Sequence, residues 1–200
     1  METDDLWERM ALKYDTEERV DAARIVVQAI RPALHDTQGK TALDYGCGTG
    51  LVGLGLVDRF QSITFVDASE NMIQQVNRKI RDGCLENART LRCDFLTEVS
   101  AGLRADYVIV SQVLLHIRDT RLILSRLYEV INPGGHLIII DFDWNEAIVS
   151  DKVHPGFVQD DLIRLVTQTG FSSASARTFY HGKGIFMNQD ASMFLLDAVK

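Results

Sequence analysis

Short apolar segments alternate with amphipathic segments along most of the chain. Mostly apolar segments of strand length lie at residues 41–45, 63–67, 88–93, 105–111 and 136–141. Helical periodicity separates them at residues 51–60, 69–80 and 121–131, and Pro133, Gly134 and Gly135 indicate the turn into the fifth strand. Because several of these strands are apolar at nearly every position, the pattern predicts a parallel sheet covered by helices on both faces.

The N-terminal segment has a helical pattern of its own. Asp15 and Glu18 have the spacing of a capping box, which predicts that a helix begins there. Apolar residues follow at helical spacing until Pro32, which ends the helix. We therefore expect helices over residues 1–35, ahead of the first strand.

The C-terminal segment breaks the alternation. A polar connection after Asp141 leads to a helix predicted at residues 160–169, with Gly170 as its C-cap. Strands predicted at residues 174–180 and 193–199 are joined by a loop too short for another crossover helix. The predicted fold class is therefore α/β: a doubly wound, seven-stranded, mostly parallel sheet with helices on both faces, N-terminal cap helices and a C-terminal antiparallel hairpin.

Composition and charge narrow the class of partner. The chain has 200 residues, of which 46% are hydrophobic and 24% charged, and this suits one globular domain. Its net charge of -7 opposes nucleic-acid binding, which needs a basic surface. Three cysteines without metal-ligand spacing fit a reducing compartment, and no segment has the pattern of a membrane span or a signal peptide. We expect a cytoplasmic protein without nucleic-acid or membrane partners, and the oligomeric state stays open.

The densest chemical signal is a glycine loop between the first predicted strand and the helix after it. Gly46, Gly48 and Gly50 allow the backbone to turn sharply and to approach a ligand closely. Asp67 lies about 20 residues after the loop, at the end of the second predicted strand, where a carboxylate can accept hydrogen bonds from both ribose hydroxyls. This combination predicts a cofactor that contains a nucleoside.

The register of the glycines bears on which cofactor binds. Gly48, Gly50 and Gly53 formally match the dinucleotide fingerprint, but the match is shifted into the helix. Counted from Gly46, where the strand ends, the third position of the fingerprint is Leu51. The register therefore disfavours a dinucleotide, and the lack of a Gly-Lys-Ser/Thr sequence excludes a Walker loop.

Several motifs together resemble those of one enzyme family. Residues 44–50, Asp-Tyr-Gly-Cys-Gly-Thr-Gly, resemble the first motif of class I S-adenosylmethionine-dependent methyltransferases, whose usual form is (D/E)-x-G-x-G-x-G. The family's later motifs have counterparts in order at residues 66–73, 93–95, 106–116 and 127–137, and its small-molecule members have a cap helix that residues 7–15 resemble. The resemblance covers almost the whole chain.

The resemblance implies a domain organisation and a set of cofactor contacts. Residues 1–200 would form one Rossmann-like methyltransferase domain, with cap helices at 1–35, a cofactor-binding core at 40–145 and a substrate-side part at 146–200. The implied cofactor is S-adenosyl-L-methionine, with S-adenosyl-L-homocysteine as product and a small molecule as methyl acceptor. The implied contacts are Tyr14, Asp44, Gly46, Cys47, Gly48, Asp67, Ala68, Met72, Asp94, Phe95, Ser111 and Gln112.

Some of these positions also have ordinary structural explanations. The resemblance places Asp67 on the ribose and Asp94 on the adenine amino group, yet an Asp after a strand is also common turn chemistry. Met72 suits helix packing as well as adenine contact, and Tyr14 suits a core position as well as a lid. We expect Asp44 to orient the loop or the methionine amino group, since burial without a partner would be costly.

The candidate catalytic residue is His116, which follows the fourth predicted strand. A histidine there can remove the proton of an acceptor oxygen or nitrogen near neutral pH, or it can only line the pocket. Asp141 and Asp143 resemble the start of a calcium loop, but the glycine position of that loop holds Glu146. We therefore expect no metal site.

Three functions remain after the sequence is taken as a whole. The first is a small-molecule methyltransferase that works by in-line displacement at the methyl carbon. The second is a protein that binds the cofactor without catalysis, as a sensor or subunit. The third is a nicotinamide-dependent oxidoreductase, which the glycine register disfavours.

Overall fold

The computed structural model describes residues 8–99 and 101–200. Its strands are β1 (Thr41–Tyr45), β2 (Ser62–Asp67), β3 (Ala88–Arg92), β4 (Ala105–Ser111), β5 (Ile131–Phe142), β6 (Ser173–Phe186) and β7 (Gln189–Val199). Its α-helices of known extent are α1 (Glu17–Ile30), α2 (Leu51–Leu54), α3 (Glu70–Asp82), α4 (Thr120–Val130) and α5 (Gln159–Thr169). The strands follow the order β3-β2-β1-β4-β5-β7-β6, which confirms the predicted seven-stranded α/β class.

The chain divides into two compact units between Ala105 and Asp106. In the first, β1 pairs in parallel with β2, and β2 pairs in parallel with β3. Leu43, Ile63 and Phe65 are fully buried, as expected for strands that are apolar on both faces. The division does not test the prediction of a single domain over residues 1–200.

Helix α3 shows how the sequence sets a helix against these strands. Its N-cap is Ser69, whose hydroxyl oxygen accepts a hydrogen bond from the Met72 backbone N–H at 3.1 Å. Met72, Ile73 and Val76 form its buried stripe, and Lys79 lies in its last turn, where a cation stabilises the helix dipole. Met72 is thus a core residue of α3. This agrees with helix packing, the structural alternative to an adenine contact.

The second unit is built around the predicted hairpin. Strand β7 pairs antiparallel with β5 on one side and with β6 on the other, and the chain reverses between β6 and β7 through Met187 and Asn188, both at positive φ. Helix α4 begins at the N-cap Asp119 and buries Ile123, Leu124 and Leu127. The antiparallel pair at the edge of the sheet is therefore confirmed.

The sequence-based boundaries of five elements were wrong. The N-cap of α1 is Thr16, because the Asp15 side chain is bound elsewhere. The helix predicted at 51–60 breaks into α2 and a short 3-10 helix, Val57–Arg59, around Gly53 and Gly55. Strand β5 begins at Ile131 and includes the predicted turn, since Gly134 and Gly135 bond to Lys200. Strands β6 and β7 extend past the predicted ends.

Two findings concern the ends of the predicted organisation. Cap helices were predicted over residues 1–35, of which residues 1–7 lie outside the described part of the chain. In the described part, Glu8–Met10 are helical and Ala11–Lys13 form a 3-10 helix. Among the helices described, none is long and apolar enough to cross a membrane.

Gly53 allows α2 to approach β1 and β2 closely. A Cβ atom at this position would overlap the Asp44 carboxylate and would lie 2.5 Å from the Phe65 Cε1 atom. A third glycine has this packing role in dinucleotide-binding loops. The glycine at position 53 is therefore explained by packing of the helix.

We predict that Gly53→Ala lowers the free energy of unfolding by about 1–3 kcal/mol, because the added methyl group overpacks this contact. Urea denaturation measures the change. Gly83→Ala is the matched control, since Gly83 has a φ of -86° and its Cβ would lie no closer than 3.2 Å to a neighbour. Equal stabilities of the two variants would contradict the close packing of α2.

Candidate functional site

The glycine loop is held by backbone bonds to the second strand. It connects β1 to α2, and the backbone N–H groups of Gly46 and Cys47 donate to the Val66 carbonyl oxygen at 2.8 and 3.0 Å. Gly46 and Gly48 have φ values of 66° and 53°, which side chains with a Cβ rarely adopt. The loop is therefore fixed in a conformation that depends on its glycines.

Asp67 ends β2 and bonds to the same loop. One carboxylate oxygen accepts the Gly48 N–H at 2.8 Å, and the other accepts the Ser69 N–H at 2.9 Å. Burial raises the pKa of Asp67, and these two hydrogen bonds oppose the rise. Because each carboxylate oxygen has a second acceptor site, Asp67 can still receive hydroxyl donors from a ligand.

Asp44 lies one residue before the end of β1 and is 2% exposed. Its carboxylate accepts the Gly53 backbone N–H at 3.1 Å, which ties β1 to α2. Burial raises its pKa to about 7, the hydrogen bond from Gly53 opposes this rise, and the negative charge of Asp67 adds to it. The carboxylate thus acts as a buried acceptor beside the loop.

The segment that precedes α1 is bound to the glycine loop. Asp15 accepts a hydrogen bond from the Thr49 hydroxyl and forms an ion pair with Lys79 at 2.6 Å, and Lys79 also donates to the Thr49 carbonyl oxygen at 2.8 Å. The Tyr14 ring lies beside Gly48, 3.8 Å from the place where a Cβ would be. Tyr14, a predicted cofactor contact, therefore lies beside the glycine loop.

Tyr14 is itself held on its other face. The Arg19 guanidinium lies 4.1 Å from the centroid of the Tyr14 ring, and burial raises the pKa of the Tyr14 hydroxyl. A hydroxyl with a raised pKa stays protonated at neutral pH and can donate a hydrogen bond. Tyr14 is thus a fixed, neutral aromatic group next to the glycine loop.

Glu8 is a part of this arrangement that the sequence did not reveal. Its carboxylate oxygens accept the backbone N–H groups of Glu70 and Asn71 at 2.7 and 3.0 Å, and the Asn71 side chain donates to the Glu8 carbonyl oxygen at 2.9 Å. These are the free N–H groups at the start of α3, where a negative charge is favourable. No local motif signals a contact between residues so far apart.

The residues predicted around the adenine lie near the ends of β1 and β3. The Phe95 ring is fully buried and packs against Tyr45, with centroids 4.7 Å apart. An Asp94 carboxylate oxygen accepts the Leu96 N–H at 2.9 Å, which is the turn chemistry that the sequence left open. The Ala68 carbonyl oxygen accepts a bond from Arg92.

Cys47 does not have the properties of a nucleophile. Burial raises the pKa of its thiol well above the usual value, and the charges of Asp44 and Asp67 raise it further. A thiol in such surroundings stays protonated at neutral pH. Cys47 therefore acts as a small side chain that fits the loop.

The remaining predicted residues lie in the second unit, after β4. Ser111 is the last residue of β4, and Gln112 follows at a positive φ of 54°. The Gln112 backbone N–H donates to the Ile140 carbonyl oxygen at 2.7 Å, and its side-chain amide contacts the Met193 sulfur at 3.3 Å. This strained residue turns the chain away from the sheet directly after Ser111.

His116 ends a 3-10 helix, Leu114–His116, and is exposed. Partial desolvation of the imidazole lowers the pKa of His116 below its usual value. The ring is therefore neutral at neutral pH and can accept a proton, as a general base must.

Asp141 supports the turn that carries His116. Its carboxylate is fully buried and accepts the N–H groups of Leu115 at 3.2 Å and Phe142 at 2.9 Å. Burial raises its pKa to about 7, against the effect of these hydrogen bonds. From the sequence, Asp141 was considered only as a metal ligand. An acidic residue at the end of an apolar strand already indicates a buried hydrogen-bond acceptor.

The described residues contain no group of three His, Cys, Asp or Glu side chains that could hold a metal ion. Asp143, the second acid of the calcium-like sequence, accepts hydrogen bonds from Gln159 at 2.6 Å and from Thr178 at 2.8 Å. Its carboxylate therefore serves the contact between α5 and β6.

Comparison with known proteins agrees with this fold and loop. Residues 36–190 match the family described as "Methyltransferase domain". An uncharacterized methyltransferase of Mycobacterium tuberculosis is 31% identical over 120 residues, which are 60% of this chain and 59% of that protein. The chain thus spans about three-fifths of the length of the curated relatives that it matches there.

Solved structures show the same fold at low sequence identity. Phosphoethanolamine N-methyltransferase 2 of Haemonchus contortus, in complex with S-adenosyl-L-methionine, has a TM-score of 0.71 at 17% identity, over 88% of this chain and 52% of that one. Magnesium protoporphyrin IX methyltransferase of Synechocystis, with bound SAH, has a TM-score of 0.70 at 18% identity, over 91% of this chain and 83% of that one.

The order of the strands and the glycine loop after β1 define a Rossmann-like α/β domain. Since the family match covers most of the chain, this chain belongs to the methyltransferase domain family. The resemblance inferred from the sequence motifs is thereby confirmed.

We predict that Asp44→Asn reduces the fall in stability between pH 5 and pH 7. A carboxyl whose pKa rises from 3.8 to about 7 on folding binds more protons in the folded state within this range, so its contribution to stability is lost as the pH rises. The variant removes a slope of up to about 1.4 kcal/mol per pH unit. Urea denaturation at several pH values measures it.

Asp58→Asn is the control for this prediction. Arg31 lowers the pKa of Asp58, so its contribution is already complete above pH 5 and the substitution leaves the slope unchanged. A constant difference between Asp44→Asn and the parent protein across the range would contradict the assignment of a raised pKa to Asp44.

Proposed function

We propose that this chain catalyses transfer of a methyl group from S-adenosyl-L-methionine to a small-molecule acceptor. The observation that carries the proposal is the Asp67 carboxylate at the end of β2, bound to the Gly48 N–H of the glycine loop. In a chain of the methyltransferase domain family, this bond supports the proposal that Asp67 accepts the ribose hydroxyls of a cofactor bound against the loop.

The residues of the first unit fit the cofactor. Asp67 would accept the ribose hydroxyls, and Gly48 leaves open space beside the Tyr14 ring because it has no side chain. Asp44 would hold the loop in place through Gly53. Cys47, Ala68 and Asp94 are proposed as further cofactor contacts. Phe95 and Met72 are proposed as contacts too, although the side chains of both are buried in the core.

In the second unit, His116 is proposed as the general base. Its lowered pKa keeps the imidazole neutral, so that it can take the proton of an acceptor oxygen or nitrogen. Ser111 and Gln112 are proposed to contact the methionine part of the cofactor. When bound, the cofactor supplies an electrophilic methyl group on a sulfonium, and the protein has mainly to align the acceptor and to exclude water.

A small acceptor agrees with the charge of the chain and with the neighbours. The net charge of -7 does not suit a nucleic acid. The solved neighbours include enzymes named for phosphoethanolamine and for magnesium protoporphyrin IX, which are small molecules. Turnover of an acceptor distinguishes the proposed enzyme from the non-catalytic alternative. Binding of S-adenosyl-L-homocysteine rather than NAD distinguishes it from the oxidoreductase alternative.

We predict that S-adenosyl-L-homocysteine raises the melting temperature of the protein and that NAD does not. At about 100 times Kd, a ligand that binds only the folded state adds about 2.7 kcal/mol. This corresponds to a rise of roughly 5–10 °C for a chain of this length. Asp67→Ala should weaken this binding about tenfold or more, through loss of charge-assisted hydrogen bonds.

Asp82→Ala is the matched control, because Asp82 is an exposed acid at the other end of α3. The affinity of this variant for S-adenosyl-L-homocysteine should equal that of the parent protein. A shift with NAD alone would overturn the proposed cofactor, and equal effects of the two substitutions would remove Asp67 from the site.

We predict that His116→Ala lowers kcat by about 10²–10⁴-fold with any oxygen or nitrogen acceptor found by screening for S-adenosyl-L-homocysteine formation. Because the pKa of His116 is lowered, the acid limb of the parent's kcat profile should lie below pH 6.5. Unchanged kcat in the variant would contradict the role of His116, and cofactor binding without turnover of any acceptor would favour the non-catalytic alternative.

A further inference from the structure

The second unit contains a cavity of about 410 Å³ that the residues discussed above do not account for. It lies against α5 and the connection between β5 and α5, and its walls include Trp144, His154, Phe157, Val158 and Leu162. Its volume is in the range of sites for small organic ligands. Its walls are mainly apolar and aromatic, as such sites usually are.

Three aromatic rings form one wall of this cavity. The His154 ring lies parallel to the Phe157 ring, with centroids 4.5 Å apart and an interplanar angle of 7°. Trp144 meets His154 edge to face, at 5.9 Å between centroids. Trp144 is nevertheless 53% exposed, although burial of a tryptophan is strongly favourable. A large aromatic surface is thus left open at the mouth of the cavity.

The wall is held in place by the backbone. The Trp144 N–H donates to the Phe157 carbonyl oxygen at 3.0 Å, and the Phe157 N–H donates to the Phe142 carbonyl oxygen at 2.9 Å. Gly156 allows this approach, since a Cβ there would lie 2.8 Å from the Phe142 oxygen. The rings are therefore preorganised and need little ordering when a ligand binds.

The same wall is joined to the turn that carries His116. The His154 backbone N–H donates to the Leu115 carbonyl oxygen at 2.7 Å, and Leu115 also donates its own N–H to Asp141. The aromatic wall and the 3-10 helix with the proposed base thus share one set of hydrogen bonds. This arrangement links the cavity to the proposed reaction.

Charge restricts the ligand further. Among the described residues that line the cavity there is no lysine or arginine, and the acidic side chain present is Asp161, which pairs with Arg164. A phosphate or carboxylate group would find no lysine or arginine on this wall, and the acid that lines it, Asp161, already pairs with Arg164. A neutral ring, by contrast, can stack on His154 and Trp144.

We propose that this cavity is the acceptor subsite and that it selects a neutral aromatic ring over an anionic molecule. As an acceptor subsite it rests on the proposed methyltransferase function. As a binding site for aromatic rings it stands on the cavity, the ring geometry and the charges alone.

The test measures the binding of three probes to the protein without cofactor by saturation-transfer NMR. The probes are phenol, its saturated analogue cyclohexanol, and phenyl phosphate, which carries the same ring with a negative group. We expect saturable binding of phenol, weaker binding of cyclohexanol and no saturable binding of phenyl phosphate. Equal affinities for phenol and cyclohexanol, or tighter binding of phenyl phosphate, would overturn the proposal.

Two pairs of variants locate the binding. Trp144→Ala should weaken phenol binding about three- to tenfold, whereas Val149→Ala, at a side chain that is 91% exposed and does not line the cavity, should leave it unchanged. Val158→Lys should create saturable binding of phenyl phosphate, since Val158 lies exposed on the cavity wall, and Val149→Lys should not. Equal phenol affinities of Trp144→Ala and Val149→Ala would place phenol elsewhere. Equal responses of the two lysine variants to phenyl phosphate would contradict the selection against anions at this wall.

This test is independent of the cofactor experiment. Phenol binding together with no change of melting temperature on addition of S-adenosyl-L-homocysteine would contradict the proposed function and support the aromatic site. A rise in melting temperature with S-adenosyl-L-homocysteine but no phenol binding would contradict the aromatic site and support the proposed function.

Discussion

The hydrogen bond from the Gly48 N–H to the Asp67 carboxylate is the constraint on which the first unit depends. It joins the loop after β1 to the end of β2, and the loop in turn accepts the contacts of Tyr14 and Asp15 through Gly48 and Thr49. The glycines allow the loop to take a conformation in which its N–H groups point at β2. Together with the bonds that Gly46 and Cys47 donate to the Val66 carbonyl oxygen, it fixes the loop, and the segment that contacts the loop, against the sheet.

Buried carboxylates have the same structural use in both units. Asp44 accepts a backbone N–H from α2, and Asp141 accepts backbone N–H groups from the turn after β4 and from β5 itself. Desolvation raises the pKa of each of these two carboxyl groups to about 7. These three hydrogen bonds anchor backbone beside proposed site residues, close to the ends of β1 and β5.

The sequence predicted those parts of the fold that local pattern determines. Strand β4 has the predicted bounds because its centre is a continuous apolar segment, and β1 because it leads directly into the glycine loop, which is a strong turn signal. The ends of β6 and β7 were missed because residues near Gly182 and Gly184 lack apolar alternation and are held by pairing across the hairpin. Asp15 was wrongly taken as a helix cap because its partners, Thr49 and Lys79, lie far along the sequence.

The contacts of the candidate site divide in the same way. The glycine loop and Asp67 could be recognised because their spacing reflects one strand–helix–strand unit. The role of Glu8 could not, since it binds backbone N–H groups whose position depends on the tertiary structure. Asp141 could be recognised as a buried acceptor, but its partner in the turn after β4 could not. The cavity beside Trp144 could not be recognised from the sequence either, because its wall depends on the backbone hydrogen bond between Phe157 and the end of β5.

The Glu8 contact has a consequence for the motions of the first unit. Glu8 accepts two of the N–H groups that begin α3, so the stability of that helix end is coupled to the docking of the N-terminal segment. Local opening of the segment and fraying of the first turn of α3 then form one cooperative event. The exchange of the Glu70 and Asn71 amide hydrogens with solvent therefore reports how often the glycine loop becomes accessible from that side.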